Sequence, residues 1–91
     1  MMDYIGRNGS TFHLNWAGHS YMYSLLSQLG ADLTEWSDFN DGEYISERTC
    51  KEWAALLKRN MSRLSELSED KEKWILDFAS FLDQCGGCNQ Y

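Results

Sequence analysis

The stretch Ser46-Glu47-Arg48-Thr49-Cys50-Lys51-Glu52-Trp53-Ala54-Ala55-Leu56-Leu57 decides the fold class. Ser46 is a favoured helix N-cap, and Glu47 sets a negative charge against the positive end of the helix dipole. From there Cys50, Trp53, Ala54, Leu57, Met61, Leu64 and Leu67 recur at helical spacing. The spacing predicts a helix over residues 47–67 with one long apolar stripe. Arg48, Lys51, Lys58, Arg59 and Arg63 fill the opposite face, with Glu52 as its acid.

Two further helices follow from the same logic. Asn15 can cap a helix over residues 16–29, whose Met22, Leu25, Leu26 and Leu29 face one way and whose end is marked by Gly30. Ser68 can cap a third over residues 69–85, with Trp74, Ile75, Phe78, Phe81, Leu82 and Cys85 as its apolar face and Gly86-Gly87 as its stop. Before them, Tyr4-Ile5 and Phe12-His13-Leu14 flank Asn8-Gly9, a pair suited to a positive-φ turn. The expected fold is therefore mainly α: three amphipathic helices with a short N-terminal β-hairpin or small sheet, to which Asn89-Gln90-Tyr91 could add. With 91 residues, no proline and no linker or repeat, the chain reads as a single domain, residues 1–91.

Between the first two helices lies the whole net charge. Residues 32–47 hold six acids (Asp32, Glu35, Asp38, Asp41, Glu43, Glu47) and no base, while the rest of the chain is balanced, so the −6 is one local patch. Concentrated charge of this kind steers partners. A pI near 4.7 excludes direct nucleic-acid binding, which needs a basic face to replace phosphate counterions. It fits a protein that docks on a basic surface. Thirteen aromatics serve chiefly to fill a small core, and Trp36, Phe39 and Tyr44 stand beside the acids as candidate anchors.

Chemistry-bearing motifs are few. Asp38-x-Asn40-Asp41-Gly42-Glu43 fails as an EF-hand loop. With Gly42 at position six, Ser37, Phe39 and Arg48 fall where ligands are needed; with Asp38 first, Thr49 replaces the closing Glu. Asn40-Asp41-Gly42 reads instead as a tight turn. Cys85-x-x-Cys88 sits at a helix C-terminus, where the dipole opposes the low thiol pKa of a redox motif. A zinc site could use Cys85 and Cys88 with two of Cys50, His13 and His19. No catalytic triad, phosphate loop, dinucleotide fingerprint or zincin motif is present, so no enzyme and no cofactor is expected. No apolar stretch suits a signal peptide or a membrane span, which points to a cytoplasmic protein with reduced cysteines.

The run Asn40-Asp41-Gly42-Glu43-Tyr44-Ile45-Ser46, the helix Cys50-Lys51-Glu52-Trp53-Ala54-x-x-Leu57 and Phe81-Leu82 ahead of Gly86-Gly87 resemble small uncharacterised proteins of bacterial and phage genomes. Those proteins carry an Asn-Asp-Gly turn before a helix and a Gly-Gly-aromatic element near the C-terminus; here Cys88 stands where the aromatic would. The resemblance implies a phage or prophage setting and no activity. The expected function is that of a non-enzymatic acidic protein that binds and occludes a larger protein, in the manner of a phage inhibitor of a host defence nucleic-acid-binding protein. Its binding residues would be Asp32, Glu35, Trp36, Asp38, Phe39, Asp41, Glu43 and Tyr44, and its compartment the host cytoplasm. The alternatives are a zinc-stabilised module on Cys85, Cys88, His13 and His19, or an oligomeric scaffold or small-ligand sponge.

Overall fold

Alternation of side chains starts the fold at its N-terminus. Met2, Tyr4 and Gly6 are buried while Ile5 between them is exposed, as a strand with one covered face requires. The computed structural model describes residues 1–64 and 68–91, with the side chain of residue 64 also outside the description. Strand β1 (Met2–Gly6) pairs antiparallel with β2 (Thr11–Leu14), setting Met2 opposite Leu14 and Tyr4 opposite Phe12. Helix α1 (Trp16–Gln28) follows at once, capped by Asn15, whose side chain accepts from the Gly18 N–H at 2.7 Å.

After a long connection come β3 (Glu43–Ile45), α2 (Glu47–Asn60), a 3-10 turn (Met61–Leu64), α3 (Glu69–Gln84) and β4 (Cys88–Gln90). Ser46 and Ser68 cap α2 and α3 by accepting from the Thr49 and Lys71 amides. The sheet order is β2-β1-β4-β3 with every neighbour antiparallel. Tyr4 and Glu43 both face Gln90, and Gly6 and Ile45 both face Cys88.

This corrects the expectation of a mainly α fold. The domain is mixed: three helices on one face of a four-stranded antiparallel sheet. The hairpin is half of that sheet, and the other half comes from β3 and β4. Each of these is three residues long, too short to show alternation, and each forms only because its partner is brought to it from far along the chain. The long helix also differs from its expected span of residues 47–67. It leaves α-geometry at Asn60, whose side-chain amide turns back to the Leu56 carbonyl at 2.8 Å, and tightens into the 3-10 turn. The remainder, residues 65–67, lies outside the described residues.

Every strand and helix sends side chains into one core. Tyr4 meets Phe78 edge-on at 5.4 Å between ring centres, and Phe12 lies 5.2 Å from Phe78 and 5.9 Å from Phe81. Met22, Leu26, Ile45, Trp53, Leu57, Ile75 and Leu82 fill the space between. The other face of the sheet carries Ile5 and Tyr44 and is uncovered. Among the described residues no helix is long and apolar enough to cross a membrane.

Candidate functional site

The acidic segment divides into an anchored half and an exposed half, joined where the Asp38 carboxylate accepts from the Trp36 indole at 3.3 Å. Its first half is held by backbone and buried side chains. The Asp32 carboxylate accepts from the amide and hydroxyl of Thr34 at 3.0 and 2.6 Å, which lowers its pKa, and the Asp32 carbonyl accepts from the Trp53 indole at 2.9 Å. Glu35 turns inward to the start of α2. Its carboxylate accepts from the Ser46 N–H at 2.8 Å, the Ser46 hydroxyl at 3.2 Å and the Thr49 hydroxyl. The Thr49 bond, with those of Ser46, holds Glu35 below the usual carboxylate range although partial burial pushes the other way. A capping box would supply this carboxylate from the third position of the helix itself. That position is Thr49, and Glu35 takes its place from a loop eleven residues before the cap Ser46.

Trp36 is half-buried and packs against the core. Its ring stacks on His19 at 4.5 Å and leans on Trp53 at 5.6 Å. His19 is 1% exposed and bonded at both nitrogens: to the Tyr4 hydroxyl at 3.0 Å through Nδ1 and to the Ser37 carbonyl at 2.9 Å through Nε2. A carbonyl only accepts, so Nε2 carries the proton and Nδ1 accepts from Tyr4. Burial lowers the His19 pKa, opposed by the Ser37 bond and by Asp38, whose carboxylate lies 3.5 Å from Nε2. Gln90 completes the anchor: it accepts from the Ser37 N–H and donates to the Glu35 carbonyl, both at 3.4 Å.

The second half projects. The Asp38 side chain is 77% exposed and Phe39 is 73% exposed, an unusual position for a bare phenyl ring. Asp41, Glu43 and Tyr44 are exposed beside them. The turn is fixed at its base, where the Gly42 N–H donates to the Gln90 carbonyl at 2.6 Å and Asn89 donates to the Gly42 carbonyl at 2.9 Å. Arg7 lies 5.2 Å over the Tyr44 ring.

Of the eight expected binding residues, Asp38, Phe39, Asp41, Glu43 and Tyr44 are therefore exposed along one loop and strand, with Glu43 and Tyr44 on opposite faces of the sheet edge. Asp32 is exposed but committed to its own turn, while Glu35 and Trp36 are half-buried, Glu35 bonded to the start of α2 and Trp36 stacked on His19. The basic face of α2 does not fold back on the loop. Arg48 pairs with Glu52 at 3.2 Å, Lys58 with Asp83 at 3.4 Å, and Lys51 donates to the Asp83 carbonyl at 3.2 Å.

The expected zinc ligands are not brought together as a set. His13 stands on the hairpin, paired with Asp3 at 2.6 Å, and His19 is used as described. The structure instead gathers Cys85 and Cys88 with Cys50, all three fully buried. Composition alone could name Cys50 as a candidate; only the β3–β4 pairing brings Cys88 to it. Elsewhere a cleft between the starts of α1 and α3 is lined by Gly18, Tyr21, Lys71 and Trp74, with the Lys71 ammonium 4.1 Å above the Tyr21 ring. No protein-family model, curated protein or solved structure matches the chain.

Proposed function

We propose that the protein is a non-enzymatic binding module whose loop at residues 38–44 docks on a basic surface of a larger protein. Asp38, Asp41 and Glu43 supply charge in the positions of phosphates, and Phe39 and Tyr44 supply apolar contact. Such a contact would occlude a nucleic-acid-binding groove. The inhibitor reading and its phage setting rest on the resemblance of the Asn40–Ser46 turn and the α2 sequence. In that setting the protein acts in the host cytoplasm.

The observation that carries the reading is a pairing pattern. The cations nearest in sequence, on α2, are engaged with Glu52 and Asp83, which leaves the loop's charge unneutralised from that side. Charge complementarity of this sort sets association rate and partner choice, while the exposed phenyl ring is suited to a pocket at the centre of an interface. Asp32, Glu35 and Trp36 have no part in it.

The test compares immobilised wild type with a variant carrying Asp38→Asn, Asp41→Asn, Glu43→Gln and Phe39→Ala. Both are exposed to nuclease-treated bacterial lysate, then washed with rising salt or with added DNA. The expected result is recovery of a basic nucleic-acid-binding protein by wild type alone, released by either wash. Equal recovery of the same proteins by both chains would sink the reading.

A further inference from the structure

We propose that Cys50, Cys85 and Cys88 form a buried site for one thiophilic d10 metal ion, bound through three sulfurs. Their Sγ atoms lie within 4.8 Å of one another, and Cys50 and Cys88 are 3.8 Å apart. At a metal–sulfur length of about 2.3 Å, the edge of a tetrahedral site is about 3.8 Å and that of a trigonal site about 4.0 Å. One edge is already at that length, and no pair needs to close by more than about 1 Å to complete a trigonal set.

Three separate elements aim these sulfurs at one point. Cys50 lies in the first turns of α2, Cys85 caps α3 and Cys88 opens β4. Between the last two, Gly86 and Gly87 take φ of +72° and +96°, a reversal that side-chain-bearing residues resist. That reversal turns both thiols of the C-x-x-C inward. As thiols, Cys85 donates to the Leu82 carbonyl at 3.5 Å and Cys50 to the Ile45 carbonyl at 3.9 Å, contacts that a metal ion would replace. The N-terminal end of α2 favours the anionic site; the C-terminal end of α3 and the Glu35 charge act against it.

Without metal Cys50 and Cys85 are held as thiols. The hydrogen bond with Cys88 and then burial push Cys50 well up, and burial raises Cys85 to about 11. A divalent ion would displace three protons to solvent and leave a site of charge −1. Soft ions compensate that cost because they bind thiolate strongly. Among the described residues no His, Asp or Glu joins the sulfurs. An all-sulfur set of three suits monovalent copper or a heavier zinc-group ion, whereas zinc would need a fourth donor.

The site lies where β4 meets α2 and α3, so binding would tie the last strand to the helical layer and stabilise the fold. The proposal goes beyond the loop's function and stands or falls separately from it.

The test uses the full chain, reduced under anaerobic conditions with a non-thiol reductant. It is titrated in parallel with Cd2+, Zn2+ and chelator-buffered Cu+. A thiolate-to-metal charge-transfer band saturating at one Cd2+ or Cu+ per chain is expected, with a rise in melting temperature. Cys85→Ser and Cys88→Ser should each lower affinity by more than the roughly 100-fold that loss of a supporting residue can cost. Tighter binding of Zn2+ than of Cd2+ and Cu+ would overturn the three-coordinate assignment. If a serine variant fails to fold, wild type still decides: no band at one equivalent and no thermal shift overturn the site.

Discussion

Removing the Glu35 carboxylate tests whether the acidic segment is divided as described. Glu35→Ala leaves the Ser46 N–H without its acceptor and takes partners from the Ser46 and Thr49 hydroxyls. Hydrogen bonds to a charged group contribute about 1.5–3 kcal/mol when made by groups that cannot reach water. Here the two hydroxyls can re-pair, with each other at 3.1 Å or with solvent, so one such bond is the working figure. Loss of a negative charge at the helix N-terminus adds about 0.3–1 kcal/mol. The sum is about 2–4 kcal/mol. For a domain of this size that lowers the melting temperature by very roughly 10–30 °C. Glu35→Gln keeps one acceptor and should cost about half as much.

The pH dependence gives a second, sharper reading of the same change. The folded-state pKa of Glu35 lies below its unfolded value, so its contribution is complete above the unfolded pKa and is lost as pH falls through the folded one. The difference between wild type and Glu35→Gln should thus be full at pH 7 and shrink in acid, below about pH 4.5. Urea unfolding followed by circular dichroism at several pH values measures both effects. A Glu35→Ala variant within about 0.5 kcal/mol of wild type at pH 7 would refute the anchoring role. It would also return Glu35 to the binding surface.

The other expectations concern the core and its polar anchor. His19 is held neutral with its pKa lowered, so the unfolded chain binds the extra proton; stability should fall as pH drops below about 6.5, and His19→Gln should flatten that limb of the pH profile. Tyr4→Phe removes the donor to His19 and should cost about 1 kcal/mol by chemical unfolding, since the imidazole is left with an unpaired acceptor. Phe78→Ala empties the space between Tyr4 and Phe12 and should cost about 3–5 kcal/mol, most of the stability of a domain this small, visible as a collapse of the unfolding midpoint. Gly87→Ala must hold φ of +96° while its new methyl group meets the Tyr44 hydroxyl and the Glu47 amide, and thermal melts should show a loss of about 1–3 kcal/mol or more.

What the chain discloses before folding is local. Asn15, Ser46 and Ser68 each cap a helix because capping needs only the next few residues, and Gly30 ends α1 at φ of +87° for the same reason. The apolar stripe Cys50, Trp53, Ala54 and Leu57 is buried as its spacing requires. What stayed hidden depends on distant partners. Three residues of β3 look like the lead-in to a helix until β4 arrives beside them. Glu35 looks solvated until Ser46 offers an N–H that its own helix cannot satisfy. The absence of a glutamate at Thr49, in an otherwise well-formed cap, is the one local sign that a carboxylate must come from elsewhere. An aromatic in an acidic loop gives no local sign of the imidazole it covers, so the stacking of Trp36 on His19 is not legible in the sequence.

The last strand along the chain is an inner strand of the sheet. Its neighbours begin at Met2 and Glu43, so Tyr4 finds Gln90 across almost the full chain length. Until that contact forms, β3 has no strand to pair with, and the hairpin of β1 and β2 is a marginal structure on its own. Assembly of the sheet is therefore a long-range event in folding. A ribosome must release residues 88–90 before the sheet can close, and loop-closure entropy makes this step slow beside helix formation. Until it is complete, the chain would expose β1 and β3 edges to other chains, which makes Cys88–Gln90 the control point for whether the protein folds or aggregates.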